Sequence, residues 1–409
     1  MYPPELTQQL EGHQWLQRLR EELAIKAQNL DLPSIEEEEW RYSPIDQLEP
    51  ERFQPVVSKP ALNQEIDTQL SDSALTISMV DGFLLSYDES EEYEICSASH
   101  IENPVELPTP TDLLSCTNLA FSPDPLMIRV PKGVHVTQPL VINHYWQNDQ
   151  ATSFPYVHIE LEENSELSVV EIFHQNELSS LIVSGTKILI GSGSNVRYQQ
   201  IQNLGSRMWQ LGALDVTVGQ QANFNGAIAA VGGSYARVKT NCRLSGRGAS
   251  GKVSAIYHGN ESQTLDFRTH QEHIARDTLS DLLFKGVLDD ESTSIYTGLI
   301  QVHKGAAGSN AFQTNKTIKL SDQAWAESVP NLEIENNDVK CSHASTVSPI
   351  DVDQRFYLES RGIPTLEVDR LIVSGFLQEV VSQLPVGSIN GWIAHLLNEK
   401  LNARDIDGE

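Results

Sequence analysis

Four segments of this 409-residue chain repeat one layout, a small or polar turn followed by a run of alternating β-forming residues. They begin at Asn164, Ser194, Ala222 and Ala249, so successive starts lie 30, 28 and 27 residues apart. A second strand-like segment sits between starts, as at 181–190 and 235–244. A unit of this size cannot bury its inner face alone, so such units stack on one another. Side chains alternate faces along a strand, and β-branched and aromatic residues at alternate positions then fill a shared interior. The spacing predicts a β-solenoid over 125–347. A jelly roll also accommodates many short strands but gives no reason for the regular interval.

The flanking regions read differently. In 1–124, Leu6, Leu10, Leu16, Leu19 and Leu23 recur at helical spacing with Trp15 beside them, predicting one amphipathic helix that ends before Pro33. Glu36 to Glu39 read as a solvated acidic face. Asp81 and Gly82 between two apolar runs predict a hairpin within 74–86. Residues 348–409 read as helical. A short helix stops at Gly362 and Pro364, and apolar stripes follow through Leu366, Leu371, Phe376 and Val380, then Trp392, Ile393, Leu397 and Leu401. Stripes this large either dock on the end of the solenoid as a cap or bind a partner. The expectation is a mostly β chain with helical regions at both ends.

Charge narrows the function classes. Lys and Arg number 28 against 56 Asp and Glu, a net charge of −28. Such a surface repels phosphate backbones and anionic lipid, so neither nucleic acid nor a membrane is an expected partner. No apolar run reaches the ~18 residues of a membrane span, and the first residues carry no signal-peptide pattern. The four cysteines, Cys96, Cys116, Cys242 and Cys341, form no C-x-x-C pair, which points to a reducing, cytoplasmic setting.

Several motifs fail on context. Gly246, Gly248 and Gly251 satisfy G-x-G-x-x-G, and Lys252 follows, but Val253 stands where a phosphate loop has Ser or Thr. The following residues alternate like a strand, whereas phosphate binding needs a helix N-terminus, so the glycines read as a tight solenoid turn. His270 and His273 are three apart rather than the four of a helical zinc site. Asp289 and Asp290 are adjacent, so on an extended chain they point to opposite faces and read as a turn. Cys242, on an inner strand, reads as packing.

Cys341 and His343 form the constellation with chemical content. They follow a strand-like run, and side chains two apart share a strand face. A thiolate and an imidazole together suit iron, an iron–sulfur cluster, zinc or copper. Two ligands do not complete a site, so the others come from distant residues, another chain or a small molecule. On spacing alone, a packing cysteine beside an exposed histidine is the simpler account.

The same residues carry a family resemblance. Pro330, Leu332, Glu333, Ile334, Asp338, Val339, Cys341, Ser342, His343, Thr346 and Val347 fall on the signature P-x-L-E-I-x-x-x-D-V-x-C-S-H-G-A-T-V of the SufD family, scaffold subunits of the SUF iron–sulfur cluster assembly machinery. Ala344 and Ser345 replace its Gly and Ala. Further similarity lies at 39–43, 281–290, 312–316 and in Phe356, Tyr357, Leu358, Arg361, Gly362 and Ile363. The related SufB subunits usually carry V-E-H-E-A at the Cys341 position. The resemblance implies a right-handed parallel β-helix with helical ends that pairs with SufB through the β-helix and binds the ATPase SufC through the C-terminal helices. It implies a non-catalytic scaffold in which Cys341 and His343 ligate iron or a nascent cluster shared with SufB. Expected partner contacts are Phe356, Tyr357, Arg361, Gly362, Leu371 and Phe376. A flavin in the assembled complex and a homodimer of the isolated chain are further expectations. Two alternatives come from other classes: a β-helix carbohydrate-active enzyme, and a self-contained metalloenzyme using His258, His270, His273 and His303.

Overall fold

The computed structural model describes residues 2–60, 74–105 and 107–403; the parts of the expected terminal regions at 1, 61–73, 106 and 404–409 lie outside these. One backbone feature recurs along the middle of the chain. Gly133, Asn164, Gly193, Gln221, Gly248, Asp277 and Gly308 all have φ between 52° and 80°. Each sits just before a strand or bridge of one sheet and reverses the chain into it. Glycine or a short polar side chain tolerates that left-handed conformation, which is why the turns look small and polar in sequence. The glycines read as a phosphate loop belong here: Gly248 has φ 73° and the strand Ser250–Gly259 follows, with no helix.

The turns stack two sheets of parallel strands. Strand makes up 43% of the chain and helix 21%, and the parallel β-solenoid has about 8 turns. The repeat continues beyond the four recognised segments into strands Leu279–Leu288, Ser309–Lys319 and Val339–Pro349. Alternate residues point into the lumen, where Ile188, Val216, Tyr198, Phe224, Tyr257, Phe267 and Phe284 are almost wholly buried. In a stack with a fixed register, every inward residue lies above another inward residue one rung below.

The two ends of the solenoid differ. At the N-terminal end, the strands Leu75–Val80 and Phe83–Tyr87 form the expected hairpin around Asp81 and Gly82, and Glu94–Ser97 pairs antiparallel to Leu126–Val130. At the other end, Trp325–Ile334 and Val339–Pro349 each have a strand on one side only. Neither contains a buried residue. Among the described residues the final coil is therefore open, with two free strand edges.

Helices cover the flanks. α1 (Gln14–Gln28) and α2 (Leu113–Phe121) pack with Trp40 and Ile45 on the outer face of the first sheet, against Tyr156, Val183, Leu211 and Tyr235. The single N-terminal helix expected from the leucine spacing is in fact two pieces, a 3-10 turn over Pro4–Gln9 and α1, separated by an irregular link through Gly12. Glu36 to Glu39 are all exposed, as expected, and the Glu39 carboxylate in addition pairs with Arg237 at 2.9 Å and with Lys239 at 3.0 Å.

α3 (Val352–Glu359), α4 (Thr365–Val381) and α5 (Asn390–Ala403) follow the last coil. The last two do not cap the end of the solenoid. Val373, Leu377, Val380, Ile393 and Leu397 lie on the outer face of the second sheet, over Ile172, Ile201, Ala229 and Ile256. That face is apolar in its middle rungs, and burying each large side chain stabilises by roughly 1.5–3 kcal/mol. A buried lysine on that face, Lys285, donates to Phe376 O at 3.1 Å and pairs with Glu379, with Nζ 4.5 Å from the Phe376 ring centroid.

Candidate functional site

Cys341 and His343 lie on the terminal strand Val339–Pro349. Their register partners one rung below are Ala311 and Gln313, both buried and inward-facing. The two side chains therefore extend the lumen columns, on one face, about 6.6 Å apart by strand rise. Ser345 and Val347 continue the same row above Asn315 and Thr317. Across the lumen stand Ser328, Pro330 and Leu332 of the other terminal strand, above Tyr296, Gly298 and Ile300. The mouth is held partly closed by Ser345 Oγ donating to Ser328 Oγ at 2.7 Å.

The two candidate ligands have different surroundings. Cys341 is half-buried against Ile300, Val302, Ala306 and Ala311. Burial pushes its thiol above the usual range, so at neutral pH metal capture displaces a proton. His343 is exposed at the rim. Sulfur on an apolar floor beside a free imidazole is a donor set that fits a soft or borderline metal. Among the described residues, no group of three or more His, Cys, Asp and Glu is arranged to hold a metal ion, so the pair remains incomplete within this chain.

The other sequence candidates are structural. His273 is fully buried, with Nδ1 2.7 Å from Thr278 Oγ1 and Nε2 2.8 Å from Ser280 Oγ, and burial lowers its pKa to about 4. His270 faces Gln301 Oε1 at 3.2 Å, and His303 faces Glu272 Oε1 at 2.9 Å. These histidines are not brought together, which removes the geometry a self-contained metalloenzyme needs. Cys242 is 1% exposed, and burial lifts its thiol to about 12, so it packs as a small apolar group.

The expected partner contacts divide by exposure. Phe356, Tyr357 and Leu371 are 71%, 57% and 52% exposed. Arg361 stands over the Tyr357 ring at 5.0 Å, and Gly362 turns the chain with φ 86°. α3 is tied to α4 by Arg355, whose Nε and Nη2 each donate to the Asp369 carboxylate at 2.8 Å. Phe376 instead faces the solenoid, beside Lys285.

Sequence reasoning missed a buried charged cluster on the outer face of the first sheet. Asp266 pairs with Arg237 at 3.1 Å and with Arg268 at 2.6 Å, and accepts from Tyr235 and Ser43. The two guanidinium groups hold its carboxyl below the usual range against the opposing effect of burial. The only signal in the sequence is the run 39–43, whose backbone and side chains close over the cluster.

Residues 144–376 match the family model of the SUF system FeS cluster assembly, SufBD core domain, which is more than half of the chain. The chain belongs to that family. The SufBD match runs from the second solenoid coil through the terminal coil and into α4, and so includes both candidate ligands. The iron–sulfur cluster assembly protein SufD of Escherichia coli is 26% identical over 365 residues, covering 86% of this chain and 85% of that protein. SufD of Bacillus subtilis is 28% identical over 275 residues, covering 66% of this chain and 63% of the relative. An iron–sulfur cluster assembly SufBD family protein of Mycobacterium tuberculosis is 26% identical over 300 residues, 71% of this chain and 75% of the relative. The chain is a SufD-like assembly protein. Among the described residues no helix is long and apolar enough to cross a membrane.

Proposed function

We propose that this chain is a non-catalytic scaffold subunit that supplies Cys341 and His343 to iron or a nascent iron–sulfur cluster, with the remaining ligands on a SufB partner. The observation that carries this is the pair on one inward face of an uncapped solenoid end. A second solenoid of like architecture can continue the two free edges, because each offers unpaired backbone N–H and C=O groups. Trp325, Ile334, Val347 and Phe312, each 40–45% exposed, give that end an apolar rim. Pairing there would place donors from the second chain over the mouth and exclude water from the bound cargo. The exposed face of α3 and α4 at Phe356, Tyr357, Arg361 and Leu371 is the proposed seat of the SufC ATPase, whose ATP hydrolysis would move the joint between the two solenoids.

The test is the double variant Cys341→Ala/His343→Ala, expressed in place of the native chain. Loss of iron–sulfur enzyme maturation with an unchanged melting temperature and unchanged co-purification of both partners is the expected result. Maturation at the native rate would remove the ligand role.

A further inference from the structure

The floor of the open mouth carries the buried amides of Gln313 and Asn315, and the lumen below them also holds polar side chains such as Gln271. Gln313 is 2% exposed, and neither its Oε1 nor its Nε2 has a hydrogen-bond partner among the described residues. Leaving a buried amide unpaired is costly, so such a group asks for a use. Directly beneath it in register is Leu282, fully buried, which offers no polar atom. Beside it, in the same coil across the lumen, is Gly298. A Cβ at 298 would stand 2.4 Å from Gln313 Nε2 and 2.7 Å from Tyr296 Oη, so the missing side chain is what lets the amide lie across the lumen. The rung above Gln313 is His343, at the ~4.8 Å spacing of neighbouring strands.

We propose that Gln313 is a positioning residue for His343: its Oε1 accepts the N–H of the imidazole nitrogen that does not face the cargo, once the ring turns inward over the amide floor. This inference rests on the reading of Cys341 and His343 as cargo ligands. The physical reason is that a ligating imidazole needs its second nitrogen held, which fixes both tautomer and ring orientation. At the exposed rim, the residue beneath His343 is the buried group with free acceptor capacity to do this. Gly298 leaves room for that group in the lumen, and Leu282 beneath it offers no polar atom.

The experiment sets two shape-conserving variants against each other in the assembled complex. Gln313→Met keeps the shape and removes the acceptor. Gln313→Glu keeps the shape and the acceptor but places a carboxyl in the lumen. Three quantities are measured: melting temperature, Co²⁺ affinity read from the thiolate-to-cobalt absorbance, and cluster maturation in cells. Gln313→Met is expected to melt at or above the native temperature, yet to bind Co²⁺ about tenfold more weakly and to mature clusters more slowly. Gln313→Glu is expected to melt lower and to keep most of both functions. A role confined to packing predicts the opposite order, with function following stability. If Co²⁺ affinity and maturation track the melting temperature across the two variants, the inference is overturned. His343→Ala run alongside separates the two levels. Native maturation in that variant sinks the ligand reading itself, whereas loss there with a native Gln313→Met sinks only the role of Gln313.

Discussion

The guanidinium of Arg237 sits over the indole ring of Trp40, with Cζ 3.8 Å from the ring centroid. Trp40 is 6% exposed and Arg237 2%. The contact joins a short N-terminal motif to the middle of the solenoid and covers the ion pairs of Asp266. Trp40→Ala is expected to lower unfolding free energy by about 3–5 kcal/mol, the usual cost of emptying a buried Trp site. Urea unfolding followed by tryptophan fluorescence checks it. A loss within the ~0.5 kcal/mol of an ordinary surface change would show that the motif does not clamp the sheet.

Gly286 depends on the ring below it. A Cβ at 286 would lie 1.8, 2.0 and 2.4 Å from Cε2, Cζ and Cδ2 of Tyr257. That ring is 1% exposed, and its hydroxyl is held by Thr317 at 2.8 Å. Gly286→Ala should therefore destabilise by about 3 kcal/mol, the upper range for overpacking. Adding Tyr257→Leu should recover part of the loss. Thermal unfolding of the four members of the cycle decides the point, and strictly additive effects would contradict it.

Stability is expected to fall on mild acidification. Burial lowers His158, His174 and His273 from 6.5 to about 4. Between those values the unfolded chain takes up protons that the folded chain refuses. The contribution is thus complete above about pH 6.5 and is lost as pH falls toward 4. Each histidine adds on the order of 1–3 kcal/mol to that loss. Chemical denaturation midpoints across pH 4–7 measure it. In His273→Gln the slope should become shallower, and an unchanged slope would exclude His273 from the effect.

Two neighbouring residues of α4 should separate docking from partner binding. Val373 is fully buried against the second sheet, while Leu371 is 52% exposed. Val373→Asp places a charge in the apolar seam and is expected to cost about 4 kcal/mol or more. Leu371→Asp should leave the melting temperature within about 2 °C of native yet weaken ATPase co-purification roughly tenfold. Calorimetry and pull-down on the same preparations check both. Normal ATPase capture by Leu371→Asp would move the proposed seat elsewhere.

The solenoid was readable because its constraints are local. Asn164, Ser194, Ala222 and Ala249 mark turns whose backbone must reverse at a fixed interval, and that interval survives in the residue string. The same rule located the hairpin at Asp81 and Gly82 and placed Cys341 and His343 on one face. The N-terminal leucines misled for the complementary reason. Their spacing fits one helix, but the chain breaks near Gly12 so that Arg20 can reach the carbonyls of Ser122 and Pro123, both at 2.8 Å. That requirement belongs to a segment about a hundred residues away.

The cluster around Asp266 and the use of Gln313 were not legible at all. Strand period two assigns Asp266 and Arg237 to an outward face, which in isolation reads as solvated. Only the descent of residues 39–43 onto that face buries them. Gln313 reads as one more inward polar residue until its register under His343 and opposite Gly298 is known.

The order of residues thus determined a mostly β stack of coils and the shared face of Cys341 and His343, since turn conformation and side-chain alternation are set within a few bonds. Tertiary structure decided that α4 and α5 lie along the second sheet and that the last coil stays open. Those outcomes depend on which apolar surfaces fit one another across distant stretches of chain, and no local pattern of residues encodes that complementarity.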